Sequence, residues 1–265
     1  MQTATEDFIS VRQGEAIREI SFEDYVMGVA ATQIDGNSQP EALKAQMVLV
    51  RTNLKKHLEE NPGELLSEAY ITLEELEERG CAQAMMQATE ATIGQVLTYQ
   101  DKLIHAPFHA ISSGTTRSGE EAFGKGEYAW LASVPSHQDV EAERYLDVEF
   151  LRQAQVESSI EEAYPDALAG GSLTGQLEVL ERDSGDYVKQ IRVGNTQMSG
   201  EKFRQLLNLN SSCFYIEEAQ GGIRITTKGL GHGLGLSQYG AESLAESGKT
   251  YVQILQYYFP KCIIA

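Results

Sequence analysis

The residues best suited to chemistry in this chain fall in three short runs. The sharpest is Gly231-His232-Gly233-Leu234-Gly235-Leu236-Ser237-Gln238-Tyr239-Gly240-Ala241, where three glycines alternate with larger residues before a helical pattern begins near Ser237. Glycines at this spacing permit positive φ and close approach of a ligand to the backbone. The first N–H groups of the following helix can meet an anionic or sugar oxygen; the plainer alternative is a glycine-rich connector. The run is not a dinucleotide-binding loop, because a hairpin pattern precedes it and no βαβ unit follows. A second run, His105 to Thr116, carries two histidines four apart and then the hydroxyls of Ser112, Ser113, Thr115 and Thr116. Pro107 between the histidines argues against a helix, and no neighbouring Cys or carboxylate completes a zinc set, so no metal is expected. The hydroxyls can bind a polyhydroxyl ligand or satisfy their own backbone. The third run, Pro40 to Thr52, places Arg51 at the edge of an apolar helical stripe, where an arginine is commonly half-buried and paired.

The elements that must position these runs follow from periodicity. Ser21 with Asp24 three residues on suits a helix cap, and Phe22, Tyr25, Val26 and Val29 continue at helical spacing to about Gln33. A turn at Asp35-Gly36-Asn37-Ser38 leads to Pro40, a residue suited to the first helical position. Leu43, Met47, Val50, Leu54 and Leu58 then repeat every three or four residues until Asn61-Pro62-Gly63. Short helices are expected over 73–80 and 82–93. The period then changes to two, giving hairpins over 96–106, over 175–193 with a turn at 183–186, and over 213–227. Helices are expected again at 201–207, 237–246 and 251–258. Helices and hairpins are segregated, so the expected class is α+β. The chain reads as one domain over 15–262, with Pro165 to Ser172 a possible meeting point of two lobes.

Charge narrows the partners. The chain has 265 residues, with 21 Lys and Arg against 39 Asp and Glu, a net charge of −18. Such a surface repels nucleic-acid backbones, so no nucleic-acid partner is expected. Cys81, Cys213 and Cys262 form no CxxC pair; Cys213 and Cys262 either meet as a disulfide or pack as core residues. Met1 to Glu6 lacks the basic and apolar regions of a signal peptide, so any anchor or export signal is expected to lie outside this chain.

Taken together, the runs resemble the stage II sporulation protein D family. Tyr25-Val26-Met27-Gly28-Val29-Ala30-Ala31, then Glu41-Ala42-Leu43-Lys44-Ala45-Gln46 and Arg51-Thr52, look like its opening motif. His109, Ser112, Gly114 and Thr116 are similar to its His-Ser-Thr-Ser-Gly-Gly-x-Thr segment. Gly231 to Ala241 is similar to its Gly-His-Gly-Val-Gly-Met-Ser-Gln signature, and the likeness runs in order from about Ser21 to Pro260. The resemblance implies helices and antiparallel hairpins around a glycan-binding cleft, and a lytic transglycosylase acting on peptide-stripped peptidoglycan strands during engulfment. It implies an extracytoplasmic, cell-wall-side location, partners such as a cell-wall amidase, and no cofactor. The zinc-binding members use cysteines near the His-Ser segment; none stands there in this chain.

That chemistry needs one carboxylic acid to protonate the glycosidic oxygen and then, as carboxylate, to take the proton of the sugar's own C6 hydroxyl. In the family a Glu ends the first motif, eight residues before the Glu of Glu-Ala-Leu-Lys; here that position is Gln33. An amide binds sugars but does not exchange a proton at neutral pH. The catalytic position is therefore assigned to Gln33, with the chain expected to be inactive as it stands, and Glu41 is the alternative acid. Lys44, Arg51 and His232 are the candidates to meet the lactyl carboxylate of muramic acid. His109, Ser112, Thr116, Ser237 and Gln238 are the candidates to bind sugar hydroxyls. A naturally non-catalytic glycan binder or scaffold is the competing reading.

Overall fold

The computed structural model describes residues 7–124, 126, 128–168 and 173–265. The chain forms two compact units, one made of the segment ending at Pro107 together with Ala241–Ala265, the other of Phe108–Gly240. The first opens on an antiparallel hairpin, β1 (Phe8–Gln13) with β2 (Ala16–Ser21). Only Val11 of β1 is fully buried, so the alternation that would announce this hairpin is weak in the sequence. α1 (Phe22–Ala30) follows directly. Ser21 stands at its cap position, but its side chain makes no capping bond, and the Phe22 N–H instead donates to the Asp7 carbonyl at 2.9 Å.

α2 (Pro40–Glu60) begins on its proline as expected and stops before Asn61, whose N–H returns to the His57 carbonyl. α3 (Leu73–Glu78) is held by a reciprocal cap between Thr72 and Glu75, and α4 (Ala82–Glu90) follows. β3 (Leu97–Tyr99) and β4 (Lys102–Leu103) form the first expected hairpin. The core of this unit joins Tyr25, Val26 and Val29 of α1 to Leu43, Met47, Val50 and Leu54 of α2 and to Leu76, Met85 and Ala88 beyond. The α1 and α2 positions are among those that the helical period assigned to the interior; Leu76, Met85 and Ala88 are additions from α3 and α4.

The second unit starts with β5 (Phe108–His109), then α5 (Gly119–Phe123) and a 3-10 turn at His137–Glu141. β6 (Leu146–Arg152) leads into α6 (Gln153–Ala163), followed by β7 (Leu177–Arg182), β8 (Val188–Val193), β9 (Thr196–Ser199) and α7 (Gly200–Leu206). β10 (Phe214–Ala219), β11 (Gly222–Lys228) and the short β12 (Leu236–Ser237) complete it. Each of the two expected hairpins gains a third strand, giving the antiparallel sheets β7-β8-β9 and β10-β11-β6. α6 and α7 close a core of Val156, Ile160, Ile191, Phe203, Phe214 and Ile225.

α8 (Gln238–Glu246) carries the chain back to the first unit, where α9 (Tyr251–Tyr258) leads to β13 (Ile263–Ile264), paired with β3. The fold is α+β, with antiparallel sheets and separate helices. The units divide at Pro107 and Gly240; the expected meeting point at Pro165 falls inside the second unit, and residues 169–172 lie outside the described ones. All three cysteines are free, Cys81 and Cys213 being buried. Among the described residues no helix is long and apolar enough to cross a membrane.

Candidate functional site

In the first unit, α1 ends at Ala30 and the chain turns through Ala31 to Ile34, which places Gln33 in a turn, partly buried. The Gln33 N–H donates to the Ala30 carbonyl at 2.9 Å, continuing the helical ladder. Its side-chain carbonyl accepts from the Gln46 amide at 3.0 Å. Gln46 is buried on α2, so the amide at position 33 is oriented by a rigid helix.

Glu41 and Lys44 sit one turn apart on α2 and pair at 2.5 Å. The second Glu41 oxygen accepts the Tyr251 N–H at 2.7 Å, near the start of α9. Burial pushes the Glu41 carboxyl up, but the Lys44 ammonium and the Tyr251 N–H together hold it below the ordinary carboxylate value. A carboxylate so held is a poor proton donor, which counts against Glu41 as a displaced acid. Lys44, in turn, already has a carboxylate.

Arg51 is fully buried, more than the half-burial expected from the helix projection. Its guanidinium forks onto Glu23 of α1, with Nε at 2.9 Å and Nη2 at 2.5 Å from the carboxylate oxygens. Nη1 donates to the Gln95 carbonyl at 3.2 Å. The group is turned inward and bolts α1 to α2; it presents nothing to a ligand in solvent.

In the second unit the structure brings two of the sequence runs side by side. β5 and β12 pair in parallel, Phe108 with Leu236 and His109 with Ser237, and bridges join Ile111 to Leu230 and Arg117 to Leu234. The glycines serve this packing: a Cβ on Gly231 would lie 2.7 Å from the His109 Cβ, and one on Gly233 would lie 2.3 Å from the Tyr187 ring. Both glycines also have positive φ, 118° and 78°. Tyr187 accepts the Ser113 N–H at its hydroxyl (2.9 Å), and Arg117, over its ring, pairs with the buried Asp183 at 2.7 Å.

His109 is buried, and its Nδ1 lies 3.0 Å from the Leu234 carbonyl. A carbonyl only accepts, so Nδ1 carries the proton and Nε2, which has no partner, keeps its lone pair. Burial, with His232 adding to it, pushes His109 down to about 3. The two rings lie 5.7 Å apart. His232 accepts the Leu234 N–H at Nδ1 (3.1 Å), and burial lowers it too, so it is neutral at pH 7 and is not the cation the sequence suggested.

The hydroxyls of this region are directed inward. Ser112, Thr116 and Ser237 are all fully buried. Thr116 accepts the Val134 N–H at 3.0 Å, and Ser112 accepts the Gly114 N–H at 3.1 Å. Ser237 accepts the Gly240 N–H at 3.2 Å, and the Tyr239 N–H goes to the Ala110 carbonyl at 3.0 Å. The start of α8 is therefore capped by the protein's own groups. Gln238 is partly buried and lies nearer the surface.

Sequence reasoning missed Asp139, which organises these serines. Its Oδ2 accepts the Ser112 N–H at 2.7 Å, and its Oδ1 is buried without a partner. Burial pushes the carboxyl up against the opposing hydroxyls of Ser112, Ser237 and Ser136. Asp139 lies on a one-turn 3-10 segment with no periodic pattern to flag it. Among the described residues no three His, Cys, Asp or Glu side chains gather to hold a metal.

Residues 11–99 match the family described as SpoIID, Stage II sporulation protein. Over 261 residues the chain is 31% identical to Stage II sporulation protein D of Bacillus amyloliquefaciens, covering 92% of this chain and 74% of that protein. The protein of the same name from Bacillus subtilis (strain 168) is 29% identical with the same coverage. A 36-residue stretch, 14% of this chain and 5% of the other, is 56% identical to the Amidase enhancer of Bacillus subtilis (strain 168). With likeness extending through both units, the chain belongs to the stage II sporulation protein D family.

Proposed function

We propose that this protein binds peptide-stripped glycan strands of peptidoglycan on the cell-wall side of the membrane during sporulation, as a lytic-transglycosylase-like member whose acid position holds Gln33. The observation that supports this most directly is the Gln46–Gln33 hydrogen bond at 3.0 Å, which fixes a side-chain oxygen in a partly exposed turn. In an active form a Glu at position 33 protonates the glycosidic oxygen, and its carboxylate then accepts the C6 hydroxyl proton as the anhydro ring closes. Gln46 donates to that oxygen in either state. The amide of Gln33 keeps the shape and the acceptor but not the proton. The short likeness to the Amidase enhancer supports a partner among cell-wall amidases.

The test is digestion of peptide-stripped sacculi by the parent, Gln33→Glu and Glu41→Gln, with anhydro ends read by mass spectrometry. The parent is expected to bind strands and release no anhydro ends, and Gln33→Glu to release them. A positioned acid–base group is typically worth about 10² to 10⁴ in rate. Cleavage by the parent that disappears in Glu41→Gln would move the catalyst to Glu41. Binding without cleavage by either the parent or Gln33→Glu would make the protein a glycan binder or scaffold.

A further inference from the structure

β6 is an edge strand of its sheet: it pairs with β11 on one side, and no described strand pairs with the other. Alternate residues along it, Leu146, Val148 and Phe150, are 55%, 54% and 52% exposed. An open edge with a row of large apolar side chains is what soluble proteins ordinarily avoid, by charge, proline or cover. Nothing in the fold described so far makes use of it.

The opposite face of the same strand carries Asp147 and Glu149. Burial pushes the Glu149 carboxyl up, and the Asp147 charge adds to it; neither carboxylate enters an ion pair among the described residues. On the neighbouring strand β11, Arg224 is engaged by Glu217 at 3.5 Å and Lys228 lies over the Tyr215 ring.

We infer that the free edge of β6 is a docking site for an extended segment of a partner protein, added as a further strand, in which apolar residues alternate with basic ones. An added strand runs about 4.8 Å away, and its side chains fall on the two faces in turn. Its apolar residues lie beside Leu146, Val148 and Phe150, and its basic residues lie beside Asp147 and Glu149. Arg144 and Arg152 bracket the strand and confine the segment's basic residues to its middle. Charge excludes the other occupants. A second copy pairing antiparallel about Val148 would set Asp147 of each against Glu149 of the other, and like charges directly opposite are destabilising. An anionic membrane would meet the same carboxylates on a chain of net charge −18.

The experiment uses the full chain and a labelled nine-residue peptide with alternating Ile and Lys in its middle, read by fluorescence anisotropy. Controls are the same residues in block order and the alternating peptide N-methylated along one hydrogen-bonding edge. The alternating peptide is expected to bind at least tenfold more tightly than either control. Val148→Lys and Glu149→Gln, both on an exposed edge and compatible with folding, are each expected to weaken it about tenfold. Equal binding of the alternating and block peptides, or undiminished binding after N-methylation, overturns the inference. So does a dimer in sedimentation that Val148→Lys dissolves, which would make the occupant a second copy. Binding to phosphatidylglycerol vesicles that Val148→Lys or Glu149→Gln alters, in place of peptide binding, overturns it as well.

Discussion

Glu23 and Arg51 offer the sharpest quantitative test of how the first unit is held. Arg51→Met keeps most of the buried apolar volume but removes the charge, leaving the Glu23 carboxylate with only the distant Gly94 N–H at 3.3 Å. Breaking a buried pair typically costs about 3 to 5 kcal/mol. The Glu23 side chain is 25% exposed and can recover some water, which puts this variant near the lower end, about 3 kcal/mol. Glu23→Gln is the more damaging change. It leaves a guanidinium that is 0% exposed facing a neutral amide, and the cost moves toward about 4 kcal/mol. The double variant is expected to lose less than either single one, because neither charge is then stranded. Urea unfolding followed by far-UV circular dichroism reads these losses. At a slope of about 2 kcal/mol per molar, 3 kcal/mol moves the midpoint by about 1.5 M. Trp130 is the sole tryptophan and belongs to the second unit, so its fluorescence serves as an internal control. An unchanged dichroism midpoint in Arg51→Met, or losses that simply add in the double variant, would refute the pairing as a structural bolt. Loss of glycan binding by a fully folded Arg51→Met would restore Arg51 as a ligand-binding residue.

In the second unit, Gly233→Ala should cost about 3 kcal/mol, because its Cβ would press on the Tyr187 ring at 2.3 Å and its φ of 78° is strained for alanine; thermal melting with Trp130 fluorescence reads it. Tyr187→Phe leaves the Ser113 N–H without its acceptor and should cost about 1 to 2 kcal/mol by the same measurement. The buried His109 gives an acid-sensitive stability. Unfolded, its ring takes up a proton near 6.5, whereas folded it takes none until about 3, so lowering the pH through that window favours the unfolded chain. The slope approaches about 1.4 kcal/mol per pH unit below 6.5, and His109→Asn should flatten this limb of the stability curve. A limb of the same steepness in His109→Asn would remove His109 as its source.

What was legible in the sequence divides along physical lines. α2 could be read from its proline, its stop and its apolar spacing, because each signal is local and they agree. The third strands β6 and β9 could not. β6 alternates apolar and charged residues like an ordinary half-buried strand, yet its apolar row faces solvent, and only its pairing with β11 reveals it. The three signature runs were found, and two of them do meet, but the side-chain roles were read too literally. Ser112, Thr116 and Ser237 have the hydroxyls that a sugar site would use, and the structure directs them into the protein. Composition cannot distinguish a hydroxyl that meets a ligand from one that satisfies a backbone amide. Asp139 and Glu23 were invisible for the complementary reason: each matters through a partner remote in sequence, Ser112 for the one and Arg51 for the other.

Under the proposed function, position 33 holds an amide where an acid would act, and the local backbone does not depend on the difference. The turn after α1 is set by backbone bonds to Val29 and Ala30, and these do not involve the residue-33 side chain. The Gln46 amide donates to the oxygen of that side chain at 3.0 Å, a contact that needs only an oxygen acceptor. Gln and Glu supply the same acceptor at the same reach. Neither these backbone bonds nor the Gln46 contact asks for a carboxyl group; under the proposed function, proton transfer does. The same reasoning bounds what Gln33→Glu does to the rest of the molecule. The Gln46 bond becomes charge-assisted and stronger, while α1, α2 and the Glu23–Arg51 bolt keep their contacts. If the variant cleaves, the gain belongs to the proton and not to a remodelled turn, and its stability should stay close to that of the parent. A large change in stability with the substitution would mean that position 33 is coupled to the core more deeply than the contact with Gln46 accounts for.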